Sequence, residues 1–187
     1  MKLWFRLIYF LIATWFRPKI DNLLETSRLS FRVWPTDLDL SLHMNNGRYL
    51  TLMDLGRLDL MVRTPLWRAV WKHGWTPVVA TALIRFRREL RCFEPFVLET
   101  KIVDWSETDV VFEHRLIFEQ GPKAGEVAAY ALIRAGLYDR KARGYVPVER
   151  LMELTGFVPD GKPGVTEVEP FSAAEEMLFS SPRVKRQ

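Results

Sequence analysis

The sequence predicts an α+β domain in which an antiparallel sheet wraps around a single central helix. Leu29, Phe31 and Val33 alternate with other residues, as in a half-buried strand, and segment 47–63 then has apolar residues at helical spacing on almost every side. Four strand-like runs follow with no long helix between them. A helix that is apolar nearly all round must be buried, and here only a sheet is available to bury it.

The element boundaries follow from local signals along the chain. Pro35 ends the first strand, and Gly74 ends a second, short helix over 65–73. The four strand runs are 78–90, 96–105, 110–119 and 126–138, and the last is apolar on both faces, as expected for a strand in the middle of a sheet. Short helices are predicted at 146–155 and near the C-terminus, where Ser172 and Glu175 have the spacing of a capping box.

The chain of 187 residues divides into an N-terminal segment 1–19, a domain 20–155 and an extension 156–187 with a short helix. Segment 1–19 is apolar and aromatic with basic flanks, and its apolar run as a helix measures about 21 Å, short of the about 30 Å core of a bilayer. Two interpretations stay open: a helix in the membrane interface, or a helix packed on the protein or a partner subunit. The apolar run lacks a signal-cleavage site, so we expect a cytoplasmic protein that contacts the membrane surface only peripherally.

Charge and rare residues exclude several classes of function. The formal charge of +4 comes from the four cations of segment 1–19, because the remaining chain holds 23 cations and 23 acids. A nucleic-acid-binding domain would carry a basic face, so no nucleic-acid partner is expected. One cysteine and three histidines give no metal-binding pattern, and no cofactor is expected.

The candidate site is the polar loop PTDLDLSLHMNNGRYL between the first strand and the central helix. It gathers Asp37, Asp39, His43, Asn45 and Asn46 immediately before a helix start, where free backbone N–H groups and the helix dipole can polarise a carbonyl. A nearby carboxylate could attack a thioester held there, or activate a water. By residue type alone, helix caps and turns are the commoner explanation of such a loop.

The motif DLDLSLHMNNGRYL, with Asp39 followed ten residues later by Tyr49, resembles the thioesterases of the 4-hydroxybenzoyl-CoA thioesterase type. The later segment RRELRCFEPF and the apolar N-terminus extend the resemblance over most of residues 1–155. It implies the hotdog fold and hydrolysis of an acyl-CoA or acyl-carrier thioester. It also implies a homodimer or homotetramer with sites built between subunits.

The resemblance also implies individual roles. Asp39 corresponds to the catalytic carboxylate, acting as general base or nucleophile, and the Asn46 backbone N–H corresponds to the group that polarises the thioester carbonyl. Asn45, Gly47 and Tyr49 are expected to contact the substrate.

His43 matches a histidine of plant acyl-carrier-protein thioesterases, whose motif reads Asp-x-Asn-x-His-x-Asn-Asn. Catalytic assistance and a structural hydrogen bond both stay open for His43, because Ser41 replaces the asparagine of that motif. This departure and the anchor-like N-terminus favour an alternative function, a non-catalytic membrane-associated acyl-binding or scaffold protein. A hotdog hydratase is less favoured because the sequence lacks the Gly-Asp-x-Asn-Pro-x-His motif.

Other charged residues have two interpretations each. Arg85, Arg87 and Arg91 would share one face of a strand, where they could bind the phosphates of coenzyme A or simply be solvated. Asp54 in the apolar helix is predicted to pair with an arginine such as Arg57, and a place in the site is the alternative. His114 on an apolar strand face is predicted to be a hydrogen-bonded core histidine.

Overall fold

In the part of the chain that the computed structural model describes, an antiparallel sheet wraps around one central helix. The described residues are 10, 13–14, 16–20, 22–157, 159, 161–163 and 165–180. The strands are β1 (Ser27–Arg32), β2 (Trp75–Phe86), β3 (Pro95–Trp105), β4 (Asp109–Phe118), β5 (Val127–Asp139) and β6 (Gly144–Tyr145). The helices are α1 (Asn46–Val62), α2 (Leu66–His73), α3 (Val148–Thr155) and α4 (Val168–Ser180). The predicted α+β arrangement is confirmed.

The strands follow the order β1-β3-β4-β5-β2, and β6 pairs with β5. All pairings are antiparallel, with Ser27 opposite Thr100 in the β1–β3 pair and Phe86 opposite Ala129 in the β2–β5 pair. β5 lies between β4 and β2 and buries side chains on both faces, which confirms its predicted central position. β1 and β2 form the two edges of the described sheet, so backbone groups along β2 face outward without a neighbouring strand.

α1 packs directly against the concave side of the sheet. Its buried residues Leu52 and Met53 share the main hydrophobic core with Leu98 of β3 and Ile133 of β5. A Cβ atom added at Gly56 would overlap the Thr100 hydroxyl group of β3. The missing side chain at Gly56 therefore allows the close approach of helix and sheet.

α2 and α3 close one end of the sheet around a second, smaller core. Val70 of α2 and Leu151 of α3 pack there with Trp75 and Leu137. Gly74 ends α2 in the left-handed region at φ 69°, as predicted from its position after the short helix.

α4 covers part of the opposite face of the sheet, where Phe171 packs with Val111 and Leu132. This helix begins at Val168, four residues before Ser172, so the predicted capping box at Ser172 is wrong. The Ser172 hydroxyl instead accepts a hydrogen bond from Arg134 Nη2 at 2.8 Å. A local spacing rule could not anticipate this partner, because Arg134 lies on β5.

Part of segment 1–19 packs on the domain. Phe10 is helical and buried in the main core, and Thr14 is helical and 2% exposed. For these two residues the structure agrees with the packed interpretation, while the membrane interpretation of positions 1–9 concerns residues outside the described range. None of the helices in the described ranges has the length and apolar character needed to cross a bilayer.

A buried carboxylate holds the N-terminal segment against α1. Asp59 is fully buried and accepts hydrogen bonds from Thr14 Oγ1 at 3.3 Å, Arg17 Nη1 at 2.9 Å, Ser27 Oγ at 2.6 Å and Arg63 Nη1 at 3.1 Å. Asp59 was not singled out from the sequence, although Arg63, four residues later on the same helix, was an available signal.

Candidate active site

The loop that enters α1 begins with a turn stabilised by Asp37. Asp37 is buried, its Oδ2 accepts the Trp34 N–H at 2.9 Å, and its carbonyl accepts the Asn45 N–H at 2.8 Å. Arg48 Nε lies 3.8 Å from the second carboxylate oxygen. Asp37 therefore has a structural role, as its type and position before a helix predicted.

Asn45 is the N-cap of α1, the kind of role that residue type alone favours in this loop. Its Oδ1 accepts the Gly47 N–H at 2.9 Å, and its carbonyl accepts the Arg48 N–H at 2.8 Å. Among the described residues nothing accepts a hydrogen bond from the Asn46 N–H, and Asn46 and Gly47 are both exposed. The cap thus uses the Gly47 amide and leaves the Asn46 amide available at the positive end of the helix dipole.

Asp39 and His43 lie side by side in a tight turn. Asp39 Oδ2 is 3.4 Å from His43 Nδ1, and each side chain is 27% exposed. The other carboxylate oxygen accepts the Ser41 N–H at 2.8 Å, and the Asp39 N–H donates to the His43 carbonyl at 3.0 Å. Leu42 closes this turn with φ 61°, an unusual conformation for a branched side chain. The structure therefore brings the two candidate catalytic side chains together.

The end of β2 and the segment that follows it pack against this loop and the start of α1. Met44 N–H donates to the Leu90 carbonyl at 2.8 Å, and His43 forms an isolated bridge with Arg91. Tyr49 packs edge-on against Phe86, with ring centroids 5.0 Å apart. Sequence reasoning missed this support because it pairs residues that are 37 to 48 positions apart in the chain.

Tyr49 is buried on the inner side of α1 at 3% exposure. Burial raises the pKa of its hydroxyl to about 12, against the opposing effect of a hydrogen bond with the Leu90 backbone. In this position Tyr49 holds the start of α1 against the supporting segment.

Arg85 and Arg87 lie near this support but do not form the predicted stripe with Arg91. β2 ends at Phe86, and the N–H groups of Arg87 and Arg88 both donate to the Ala128 carbonyl, which turns the chain away from the strand. Both side chains are exposed and have no carboxylate partner among the described residues, whereas Arg88 pairs with Glu126 at 3.1 Å.

A cavity of about 440 Å³ lies between the second half of α1 and the sheet. Its walls are largely apolar and come from α1, β2, the β3–β4 hairpin and α3, including Leu58, Met61, Val78, Trp105, Phe112 and Leu151. The sequence pattern did not show which residues line it, because they come from several separate segments.

Asp54 and Arg57 form an ion pair in the wall of this cavity, which confirms their predicted pairing. Arg57 Nη1 also lies 3.0 Å from His114 Nε2, and His114 Nδ1 lies 2.9 Å from Thr100 Oγ1. A guanidinium can only donate, so Nε2 is the acceptor and Nδ1–H donates to Thr100. Burial and, to a lesser extent, the Arg57 charge hold the pKa of His114 well below its ordinary value of 6.5, which confirms a hydrogen-bonded core histidine.

In the ranges that the structure covers, no group of three or more His, Cys, Asp or Glu side chains is placed to hold a metal ion.

Solved structures with the same architecture define the class of fold. The Escherichia coli probable thioesterase YbaW superposes with a TM-score of 0.62 at 23% identity, over 68% of this chain and 94% of that chain. A mutant of 4-hydroxybenzoyl-CoA thioesterase complexed with 4-hydroxybenzoyl-CoA superposes with a TM-score of 0.63 at 14% identity, over 70% and 98%. The protein has the hotdog fold.

The sequence comparison gives the family. The model of the thioesterase-like superfamily matches residues 33–174, and the chain belongs to this superfamily. Protein THEM6 of Xenopus laevis is 36% identical over 101 residues, which are 54% of this chain and 49% of that protein. Protein THEM6 of Danio rerio is 34% identical over 132 residues, 67% of this chain and 64% of that protein. The chain thus spans about half to two thirds of these relatives, and the resemblance inferred from the site loop is confirmed.

Proposed function

We propose that this protein hydrolyses acyl thioesters and that its substrates are acyl-CoA molecules, with acyl-carrier thioesters as the alternative. The observation that carries the proposal is the Asp39 carboxylate, held 3.4 Å from His43 in the loop that leads into the N-terminus of α1. The named thioesterases among the structural neighbours, including the one complexed with 4-hydroxybenzoyl-CoA, support the substrate class.

The geometry supports a division of roles. The substrate carbonyl accepts a hydrogen bond from the Asn46 N–H, where the helix dipole stabilises developing negative charge. Asp39 removes a proton from a water that adds to the carbonyl carbon, or it attacks that carbon itself to give an anhydride that water then opens. In either route the carbon–sulfur bond breaks, and the thiolate leaves and takes up a proton. His43 orients the Asp39 carboxylate and can share the proton that Asp39 removes from the water.

The cavity is a suitable compartment for the acyl group. It begins near Asp54, eight residues or about 12 Å along α1 from Asn46. Its volume of about 440 Å³ lies within the range of small-molecule sites. An acyl chain that extends along α1 from the carbonyl site would place its far end between apolar walls.

The exposed edge of β2 supports a homodimer, with a homotetramer as a larger assembly. Along this strand Val79, Leu83 and Phe86 are 46%, 55% and 44% exposed. A long apolar edge with unpaired backbone groups is a poor surface to leave in water, and a two-fold axis beside it would pair each edge with its copy. This pairing would also bring a second subunit close to Phe86, which packs on Tyr49 of the site.

We also propose a cytoplasmic protein whose segment 1–19 contacts the membrane surface. Phe10 and Thr14 are part of the packed domain, so the contact would be made by the aromatic residues before Phe10. Truncation at Phe10 is therefore a better test than truncation at Ile20, because it leaves the packed residues in place. The protein truncated at Phe10 should be recovered with membranes in a smaller fraction than the full chain, and equal fractions for the two proteins would contradict the proposal.

One assay tests the hydrolase proposal. The purified full chain is given acyl-CoA molecules of graded length while free thiol is measured, and Asp39→Asn is compared with the surface control Glu176→Gln. We expect Asp39→Asn to lower kcat at least a hundredfold, with the control unchanged. If no substrate releases thiol although the protein binds acyl-CoA, the non-catalytic acyl-binding alternative is correct. Full activity of Asp39→Asn would exclude Asp39 as the catalyst.

A further inference from the structure

The outer face of α2 carries one exposed and one half-buried tryptophan, interleaved with two cations. The Trp67 and Trp71 rings lie one turn apart with centroids 5.4 Å from each other, and Trp71 is 77% exposed. Arg68 and Lys72, their neighbours along the chain, are also exposed. The opposite face of α2 is buried against β5 and α3, so α2 presents its aromatic and basic face outward.

The chain before β1 adds a second exposed ring near the start of α2. Phe16 is 83% exposed, and Lys19 is exposed as well. The Ile20 N–H donates to the Arg63 carbonyl at 3.0 Å, and Arg63 Nε donates to the Pro18 carbonyl at 2.7 Å. Because Arg63 caps the end of α1 just before α2, these bonds fix residues 16–20 at the α1–α2 junction.

The exposed cations of this surface have no ion-pair partner among the described residues. No acidic residue occurs between positions 60 and 88 of the sequence. Arg17 and Arg63 point inward to Asp59, but Lys19, Arg68 and Lys72 have no carboxylate partner within the described ranges. Two exposed rings, Phe16 and Trp71, and the half-buried Trp67 ring thus lie with three cations around the α1–α2 junction.

We propose that this aromatic and basic surface, formed by Phe16, Lys19, Trp67, Arg68, Trp71 and Lys72, binds a lipid surface that contains anionic headgroups. Indole rings favour the headgroup level of a bilayer, and neighbouring lysines and arginines meet the lipid phosphates. A second copy of the chain fits less well, because a two-fold contact would bring the cations of one surface against those of the other. The proposal extends the membrane contact proposed for segment 1–19 to α2, and it does not require the residues before Phe10 to bind.

A local probe tests this surface in the full chain. In a Cys92→Ser background, Trp71→Cys is labelled with an environment-sensitive dye that replaces the lost ring. The same label on Met177→Cys is the control, because Met177 is 74% exposed on α4 at a distant part of the chain. Vesicles of phosphatidylcholine, with or without phosphatidylserine, are added, and lipids carrying a nitroxide report dye depth by quenching.

We expect a blue shift and quenching at position 71 with phosphatidylserine vesicles, a several-fold weaker response without phosphatidylserine, and little response at position 177. Lys72→Glu should lower the partition coefficient about fivefold or more. Equal responses at the two positions would overturn the proposal. So would vesicle binding without a response at position 71, which would assign the contact to other residues such as those before Phe10. A blue shift at position 71 that appears when only the protein concentration is raised, without vesicles, would indicate self-association instead.

Discussion

The His114 imidazole accepts a hydrogen bond from the Arg57 guanidinium, with 3.0 Å between Nε2 and Nη1, in the wall beneath the central helix. This bond requires a neutral ring, since protonated Nε2 would have no lone pair to offer. The pair therefore links the ionisation of a core histidine to the packing of α1 on the sheet.

His114 should make the fold sensitive to mild acid. Its pKa in the folded protein lies well below 6.5, so the unfolded state binds a proton first as pH falls. Stability is full above pH 6.5 and falls by about 1.4 kcal/mol for each pH unit below it, until the folded pKa is reached. Urea unfolding at pH 7.5 and 5.5 should show this loss in the wild type and a smaller loss in His114→Gln. Equal losses would exclude His114 as the group responsible.

Asp59 should be among the most sensitive positions for stability. Asp59→Ala leaves Arg17 and the buried Arg63 without their carboxylate, which we expect to cost about 3–5 kcal/mol. Thr14→Val removes one hydrogen bond and should cost about 1 kcal/mol. Urea unfolding measures both changes, with the exposed Glu176→Gln as a control near zero. A small effect of Asp59→Ala would show that the N-terminal segment is not held by this carboxylate.

Gly56→Ala tests the close packing of α1 on β3. The added methyl group overlaps the Thr100 hydroxyl, so helix or strand must move, at a cost of about 1–3 kcal/mol. The double variant Gly56→Ala/Thr100→Ala should lose less than the sum of the two single variants, because Thr100→Ala removes the overlapping hydroxyl, although it also removes the acceptor of His114 Nδ1–H. Without a contact at this point, the alanine would stabilise the helix by up to about 1 kcal/mol.

Arg85 and Arg87 should matter for the nucleotide part of the substrate. We expect Arg85→Ala/Arg87→Ala to raise KM for acyl-CoA about tenfold and to leave kcat nearly unchanged. A pantetheine thioester that lacks the nucleotide serves as the second substrate, and its KM should change little. Arg88→Ala is the matched control, because Arg88 already pairs with Glu126. Equal effects on the two substrates would reject the phosphate role.

Pairing through β2 should be sensitive to charge on its exposed edge. Leu83→Lys places a cation on an apolar position that is 55% exposed, and a symmetric contact would bring it near its copy. Light scattering after gel filtration should show a dimer or tetramer for the wild type and a monomer for the variant. The control Leu178→Lys changes a leucine of similar exposure on α4 and should leave the mass unchanged.

The sequence predicted the fold class and several local interactions around the candidate site, because these depend on local periodicity and on residue type. The alternation along β1, the apolar character of α1 and the two-faced burial of β5 predicted an α+β sheet around one helix. The Asn45 cap, the turn at Asp37 and the Asp54–Arg57 pair were also predictable, since each uses partners only a few residues apart.

Only the tertiary structure decided the features that join distant segments. The cavity, the support of the site loop by residues 86–91, the Arg57–His114 bond and the burial of Asp59 all bring together residues that are far apart in the chain. The capping box at Ser172 and the stripe through Arg91 failed for the same reason. A side chain's nearest neighbours in sequence constrain its backbone, whereas its partners are chosen by how strands and helices pack.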